Sequence, residues 1–242
     1  MSTMQRVREA ISLSHDAIEQ TDFAKSLLDG RITRAAYGVY LNQMWHIHSA
    51  LEHAITGSER VAPFLAPAMM RTATIARDAH VMGQRIDAQQ RLQITRDIES
   101  QLTIWAAESP LALLGSLYIL EGSRMGSLMI AKPLAKALGL SELTNDQSVE
   151  RTSERSIDGV EYHLEGAAET PRRVRQFKAE IDCAGLSASE ETELTYGACA
   201  FMALLKRLYE TLPVNNVYQS NVRGSCPFSR VAIVPPAQLR SA

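Results

Sequence analysis

The sequence predicts an all-α chain folded as a single-domain, multi-helical bundle. Apolar residues recur at three- and four-residue spacing along nearly its whole length, and no alternating apolar and polar run joined by a hairpin turn interrupts them. No segment repeats at the periods of solenoids or propellers, and 242 residues, 45% hydrophobic and 21% charged, suffice for one large core. Residues 1–212 form the predicted helical domain and residues 213–242 an irregular tail rich in Asn, Ser and Pro.

Val7, Ala10, Ile11, Ser14, His15 and Ile18 share one side of a first helix over residues 4–20. The stretch GRITRAAYGVYLNQMWHIHSALEHAITG gives a second, long helix with Thr33 as its N-cap and Gly57 at its end. Shorter helices follow at 65–80 and 88–106. In ESPLALLG, Ser109 stands as cap and Pro110 takes the first helical position, where no intrahelical partner is lost with the missing N–H. That helix runs on to Gly139 in KALGL. Residues 141–168 are polar and weakly periodic, a long connection with a short helix inside. Thr170-Pro171 opens a helix that Gly185 closes, and SASE from Ser187 is a capping box for the last helix, which stops before Pro213.

Lys and Arg number 25 against 27 Asp and Glu, a balance that offers no global field for nucleic acid or an anionic membrane. An anion site must therefore be local. Cys183, Cys199 and Cys226 are odd in number and irregular in spacing, which fits neither a disulfide framework nor a zinc cluster and agrees with a reducing compartment. The N-terminal MSTMQRVREAISLSHD meets charges before any apolar core, and the most apolar run, 111–131, is broken by Glu121 and Arg124. The expectation is a soluble, cytoplasmic, uncleaved protein with no membrane or nucleic-acid partner.

Three local features point to chemistry. LYILEGSRMGS holds Gly122 and Gly126 one turn apart, and together with Gly115 they destabilise a helix by about 3 kcal/mol relative to alanines. Gly122, Ser123, Gly126 and Ser127 put tiny residues on one face, which suits either a helix packed close or a flat ligand against the backbone. His15 lies on the apolar stripe of the first helix, with Arg8 two turns before it and Glu19 one turn after. It reads either as a packed core histidine or as a metal ligand whose other nitrogen meets Glu19. TPRRVRQFK concentrates Arg172, Arg173, Arg175 and Lys178, either a solvated basic face or a clamp for carboxylates or phosphates. Together these features describe a flat, apolar, dianionic metal macrocycle held between two helices. His46, His48 and His53 in HIHSALEH read as packing or surface residues, because positions two apart on a helix face different ways.

VREAISLSH, FAKSLLDGRITRAAYGVYLNQMWHIHSALEHAI, LYILEGSRMGS, the basic helix and FMALLKRLYETL, taken in that order, resemble the heme oxygenases over roughly residues 5–212. The resemblance implies heme as substrate and cofactor, with His15 as the iron ligand and Gly122 and Gly126 on the helix over the opposite heme face. It also implies Glu19 close to that histidine, and Arg8, Arg175 and Lys178 near the propionates, where they set the heme's in-plane rotation. The implied reaction uses O2 and electrons from an external ferredoxin or reductase and yields biliverdin, CO and ferrous iron. No flavin or iron–sulfur motif is present to supply the electrons internally.

The family's distal-helix pattern is commonly Gly-Asp-Leu-Ser-Gly-Gly, and here Ser123 replaces the aspartate and Ser127 the second tandem glycine. Members associated with bacterial phytochromes are similar to this chain in LEGSRMG. The tail's Cys226-Pro227-Phe228 reads as an incidental sequence or as a Cys-Pro heme-regulatory motif. Alternative readings are a heme-binding or heme-sensing protein of the same fold without turnover, and a helical bundle whose glycines only admit close packing. A carboxylate-bridged di-iron oxidase is disfavoured, since the sequence has no Glu-x-x-His pair.

Overall fold

The structure, a computed structural model, describes residues 1–140 and 157–214. Those residues are all-helical, with no strand among them. The helices are α1 (Thr3–Glu19), α2 (Asp22–Leu28), α3 (Arg34–Thr56), α4 (Thr72–Val81), α5 (Gln93–Glu108), α6 (Pro110–Ala137), α7 (Glu161–Leu164), α8 (Thr170–Cys183) and α9 (Ala188–Thr211). The tail beyond 214, with Cys226-Pro227, and most of the polar connection lie outside the described residues.

Local chemistry sets most boundaries. The Thr33 hydroxyl accepts the Ala36 amide to start α3, and Gly57 stands at its C-cap. Ser187 and Glu190 complete the capping box of α9, while Gly139 (φ +64°) and Gly185 (φ +64°) take left-handed conformations just beyond α6 and α8. Ser109 holds the N-cap position of α6 without a side-chain capping bond. The Glu193 carboxylate of α9 accepts the Leu111 amide instead, at 2.7 Å.

Several expectations needed correction. The segment expected to be helical from 65 becomes α-helical only at Thr72, because Pro63 and Pro67 lack amide donors and leave short 3-10 turns at Ala62–Phe64 and Pro67–Met69. Helix α5 begins at Gln93, after a 3-10 turn at Ala88–Gln90. Helix α2 was not anticipated: seven residues are too few to display a period, yet Thr21 caps it and Phe23, Ala24 and Leu27 bury its inner face.

Helix α6 organises the molecule. Every residue from Leu111 to Glu121 is buried, and this half packs on α9, α3 and α5. From Gly122 onward the face bearing Gly122, Ser123, Met125, Gly126 and Met129 forms one wall of a cleft, while Ala131, Leu134 and Ala135 remain buried. Helix α1 packs on α9 and α8 through Met4, Val7 and Ile11, so its C-terminal half overhangs that cleft.

Candidate functional site

The cleft has a volume of about 810 Å³, within the roughly 300–1,000 Å³ typical of small-molecule sites. Helix α1 contributes Arg8, Ile11, Ser12, His15, Asp16 and Glu19, and α6 contributes Tyr118, Gly122, Ser123, Met125, Gly126 and Met129. Tyr40 and Met44 of α3, Tyr162 of α7, and Met202, Leu205 and Tyr209 of α9 also line it, with Val174 and Lys178 of α8. The cavity is therefore largely apolar and aromatic, with cations and one imidazole on its borders.

The glycines of α6 divide into different roles. A Cβ on Gly115 would collide with the Leu194 carbonyl oxygen and the Ala198 amide nitrogen of α9, so this glycine exists for helix packing. Among the described residues, Gly122 and Gly126 have nothing within 4 Å of where a Cβ would sit. Close packing of another helix therefore does not explain them, and a flat group could lie against the backbone there. Ser123, between them, donates its hydroxyl to the Leu120 carbonyl at 2.8 Å, which leaves the oxygen's lone pairs as acceptors only.

His15 is not the packed core residue its position on the stripe allowed. Its side chain is 53% exposed, because α1 spends its apolar residues on α9 and α8 one to three turns earlier. Its Nδ1 lies 3.6 Å from a Glu19 carboxylate oxygen and 3.8 Å from one of Asp16. Ligand atoms of these residues all fall within 4.8 Å of one another. Neither separation is a hydrogen bond, but both carboxylates stand beside Nδ1, so Nε2 is the ring nitrogen they do not crowd.

The basic run on α8 separates into unrelated tasks. Arg172 pairs with Glu169 at the surface, and Arg173 reaches the buried Glu121 of α6 at 3.0 Å. Arg175 is exposed and does not line the cleft, since α8 turns Val174, Phe177 and Ile181 inward. Lys178, one turn beyond Val174, does line it, with Nζ 5.5 Å from the ring centroid of Tyr118. The positive charge of Arg8 also acts on that tyrosine, although burial is the larger influence and raises its pKa. Tyr118 thus marks an edge of the cleft where two cations converge.

Sequence reasoning missed the aromatic floor. Tyr40 and Met44 are one turn apart on α3, and Met202, Leu205 and Tyr209 follow helical spacing on α9, so they were indistinguishable from core. Tyr40 meets Tyr209 edge-on at 6.1 Å and Tyr162 at 6.3 Å. Burial raises the pKa of all these tyrosines, which stay protonated hydrogen-bonding groups. His46 and His48 are buried and His53 is exposed, as packing and surface histidines.

The residues present fit a flat dianionic macrocycle. The open face over Gly122 and Gly126 has room for one, the methionines and tyrosines offer apolar surface, Arg8 and Lys178 offer positive charge, and His15 offers an imidazole nitrogen. No helix among the described residues is long and apolar enough to cross a membrane.

The structure of heme oxygenase from Leptospira interrogans matches with a TM-score of 0.75 at 18% identity, covering 88% of this chain and all of that one. Heme oxygenase-2 from Synechocystis sp. PCC 6803, solved with heme and NO, matches with a TM-score of 0.72 at 18% identity over 86% of this chain and 84% of that one. Heme oxygenase-1 of the same cyanobacterium, solved with heme, gives 0.70 at 14% identity over 86% and 91%. No curated protein sequence matches the chain. The heme oxygenase family model matches residues 1–207, and the chain belongs to that family.

Proposed function

We propose that the cleft binds heme and that the protein is a heme oxygenase, opening the macrocycle with O2 and external electrons to biliverdin, CO and ferrous iron. The observation that carries this reading is the open space over Gly122 and Gly126 in the cleft that His15 borders. Bound heme supplies the redox chemistry and the reactive carbon bridge; the chain supplies the rest.

His15 would hold the group from α1, with Glu19 and Asp16 beside its Nδ1. Arg8 and Lys178 hold its acids at the Tyr118 edge and so fix its rotation in the plane. Gly122 and Gly126, with no side chains, would let the flat group lie against the backbone of α6. The Ser123 oxygen accepts a hydrogen bond from water in that space, a weaker fixture than a carboxylate. The LEGSRMG segment, serine included, supports placement with the phytochrome-associated members. Electrons come from a ferredoxin or reductase, and the protein works in the cytoplasm.

The test adds hemin to the purified protein, then a reductant under air with catalase present, and follows absorption. Decay of the main heme band with growth of a broad red bilin band supports turnover. A stable heme spectrum assigns the protein to heme binding or sensing, and no binding removes the heme reading.

A further inference from the structure

Four methionines line the cleft, and the structure divides them into two kinds. Met44 of α3 and Met202 of α9 lie in its floor, 2% and 4% exposed. Met125 and Met129 of α6 stand in its wall, 50% and 73% exposed. Gly122, Met125, Gly126 and Met129 recur at three- and four-residue spacing, so the two thioethers share one helix face with the open glycine backbone. A flat apolar group laid on that strip would adjoin both.

The residue type is informative. Leucine offers similar apolar surface with less side-chain entropy to lose, whereas methionine adds a polarisable sulfur and one reaction that leucine lacks. Hydrogen peroxide, the two-electron reduction product of O2, transfers an oxygen atom to the thioether Sδ. An S–O bond forms as the O–O bond breaks, the sulfur gives up two electrons, and the peroxide leaves as water. The sulfoxide is polar and chiral, and a reductase restores the thioether. Access decides which methionines react. Of the nine in the chain, Met4, Met44, Met69, Met82 and Met202 are buried, and Met1, Met70, Met125 and Met129 are exposed. Among those four, Met125 and Met129 are the two that line the cleft.

We propose that Met125 and Met129 form a reversible oxidation site through which hydrogen peroxide switches off loading of the cleft. A sulfoxide oxygen on that wall must give up water before an apolar macrocycle can cover it. The Ser123 hydroxyl on the same stretch of α6 does not replace that water, because its proton is already donated to the Leu120 carbonyl. The oxidised protein therefore binds hemin about tenfold more weakly, or worse. A seated macrocycle covers the same sulfurs, so loading and oxidation oppose one another. The effect on hemin rests on the heme-binding reading, whereas the selective oxidation and the polarity it brings to the cleft do not.

To test this, the heme-free protein is treated with hydrogen peroxide, freed of it by gel filtration, incubated with a thiol to return its cysteines, and mapped by mass spectrometry. Met125 and Met129 should each gain one oxygen while Met44 and Met202 gain none; unmodified Met125 and Met129 beside an oxidised Met70 overturn the proposal. Hemin titration should then show binding about tenfold weaker than before treatment, restored by methionine sulfoxide reductases. The double variant Met125→Leu, Met129→Leu is judged against its own untreated form. It should lose no affinity on treatment, although Met70 is still oxidised. An equal loss in the double variant, or no loss in wild type, overturns the proposal. Should untreated wild type bind no hemin, the heme reading fails, and fluorescence of the apolar dye anilinonaphthalene sulfonate decides the switch instead. Dye signal should drop on oxidation of wild type and hold in the double variant; a signal unchanged in wild type overturns the proposal.

Discussion

Gly115 and Gly197 lie back to back where α6 crosses α9: a Cβ on Gly115 would sit 3.0 Å from the carbonyl carbon of Gly197, and one on Gly197 would sit 2.7 Å from that of Ala112. Further along α6, Gly126 meets open space. The same residue type thus serves packing in the core half of the helix and access in the cleft half, and opposite outcomes follow. Gly115→Ala should destabilise the heme-free protein by about 1–3 kcal/mol or more through overpacking. Gly126→Ala should stabilise it by up to about 1 kcal/mol, because alanine is the better helix former. It should also weaken hemin binding, since the methyl enters the space over the backbone. Urea unfolding and hemin titration of both variants check this; weaker unfolding resistance in Gly126→Ala would show that its open face is closed in solution.

His15→Ala should leave the fold intact, since the side chain is more than half exposed and the α1 packing runs through Met4, Val7 and Ile11. The absorption and spin-state signature of the ferric complex should change, and added imidazole should restore it in part. A spectrum identical to wild type would take His15 out of the iron site. Glu19→Gln should keep the ligand but alter its basicity, readable as a smaller shift of the same bands.

Lys178→Ala should loosen hemin or mix the biliverdin isomers, whereas Arg175→Ala should do neither to a comparable degree. The resemblance implied both residues for the propionates, but of the two only Lys178 lines the cleft. Equal losses from both variants, measured by hemin titration and isomer analysis, would place Arg175 at the bound group after all.

The long helices and their caps were legible in sequence because each depends on local spacing or a local motif, whereas only the family resemblance implied that Arg8, His15, Glu19, Gly122, Ser123, Gly126 and Lys178, which line one cleft, belong together. What escaped depends on the third dimension. Tyr40, Tyr162 and Tyr209 obey the period of any core residue, and only the packing shows that a cavity lies beside them. The density of arginines in TPRRVRQFK likewise gave no hint that Arg173 turns inward to a buried carboxylate while Arg175 stays outside.

That inward turn carries a stability prediction. Glu121 is 2% exposed, receives Arg173 at 3.0 Å and lies 3.9 Å from the Nε of Arg124. Arg124 in turn donates to the Tyr162 and Glu165 carbonyls, so the cluster ties α6 to α7 and α8. Glu121→Gln removes the carboxylate and leaves its cations buried, at a loss of about 3–5 kcal/mol. Adding Arg173→Ala to the same chain should recover part of that loss, and a double-mutant cycle by urea unfolding measures the coupling. Simple additivity would mean that the pair does not interact in solution.

His163 gives the pH dependence its sign. The ring is buried, neither nitrogen has a hydrogen-bond partner among the described residues, and it stacks on Tyr37 at 6.1 Å. Burial first, and the charge of Arg124 second, push its pKa down from 6.5 to about 3. The unfolded chain therefore binds this proton more readily than the folded one. The stability it allows is complete above pH 6.5 and is lost as pH falls toward about 3, at about 1.4 kcal/mol per pH unit within that window. His163→Phe keeps the stacked ring and removes the titrating nitrogens, so unfolding free energies measured from pH 7.5 down to about 4 should fall less steeply than in wild type by about that slope. His48 titrates in the same direction in both proteins and cancels in the comparison. Parallel curves for the two would show that His163 is not the group that binds the proton on acid unfolding.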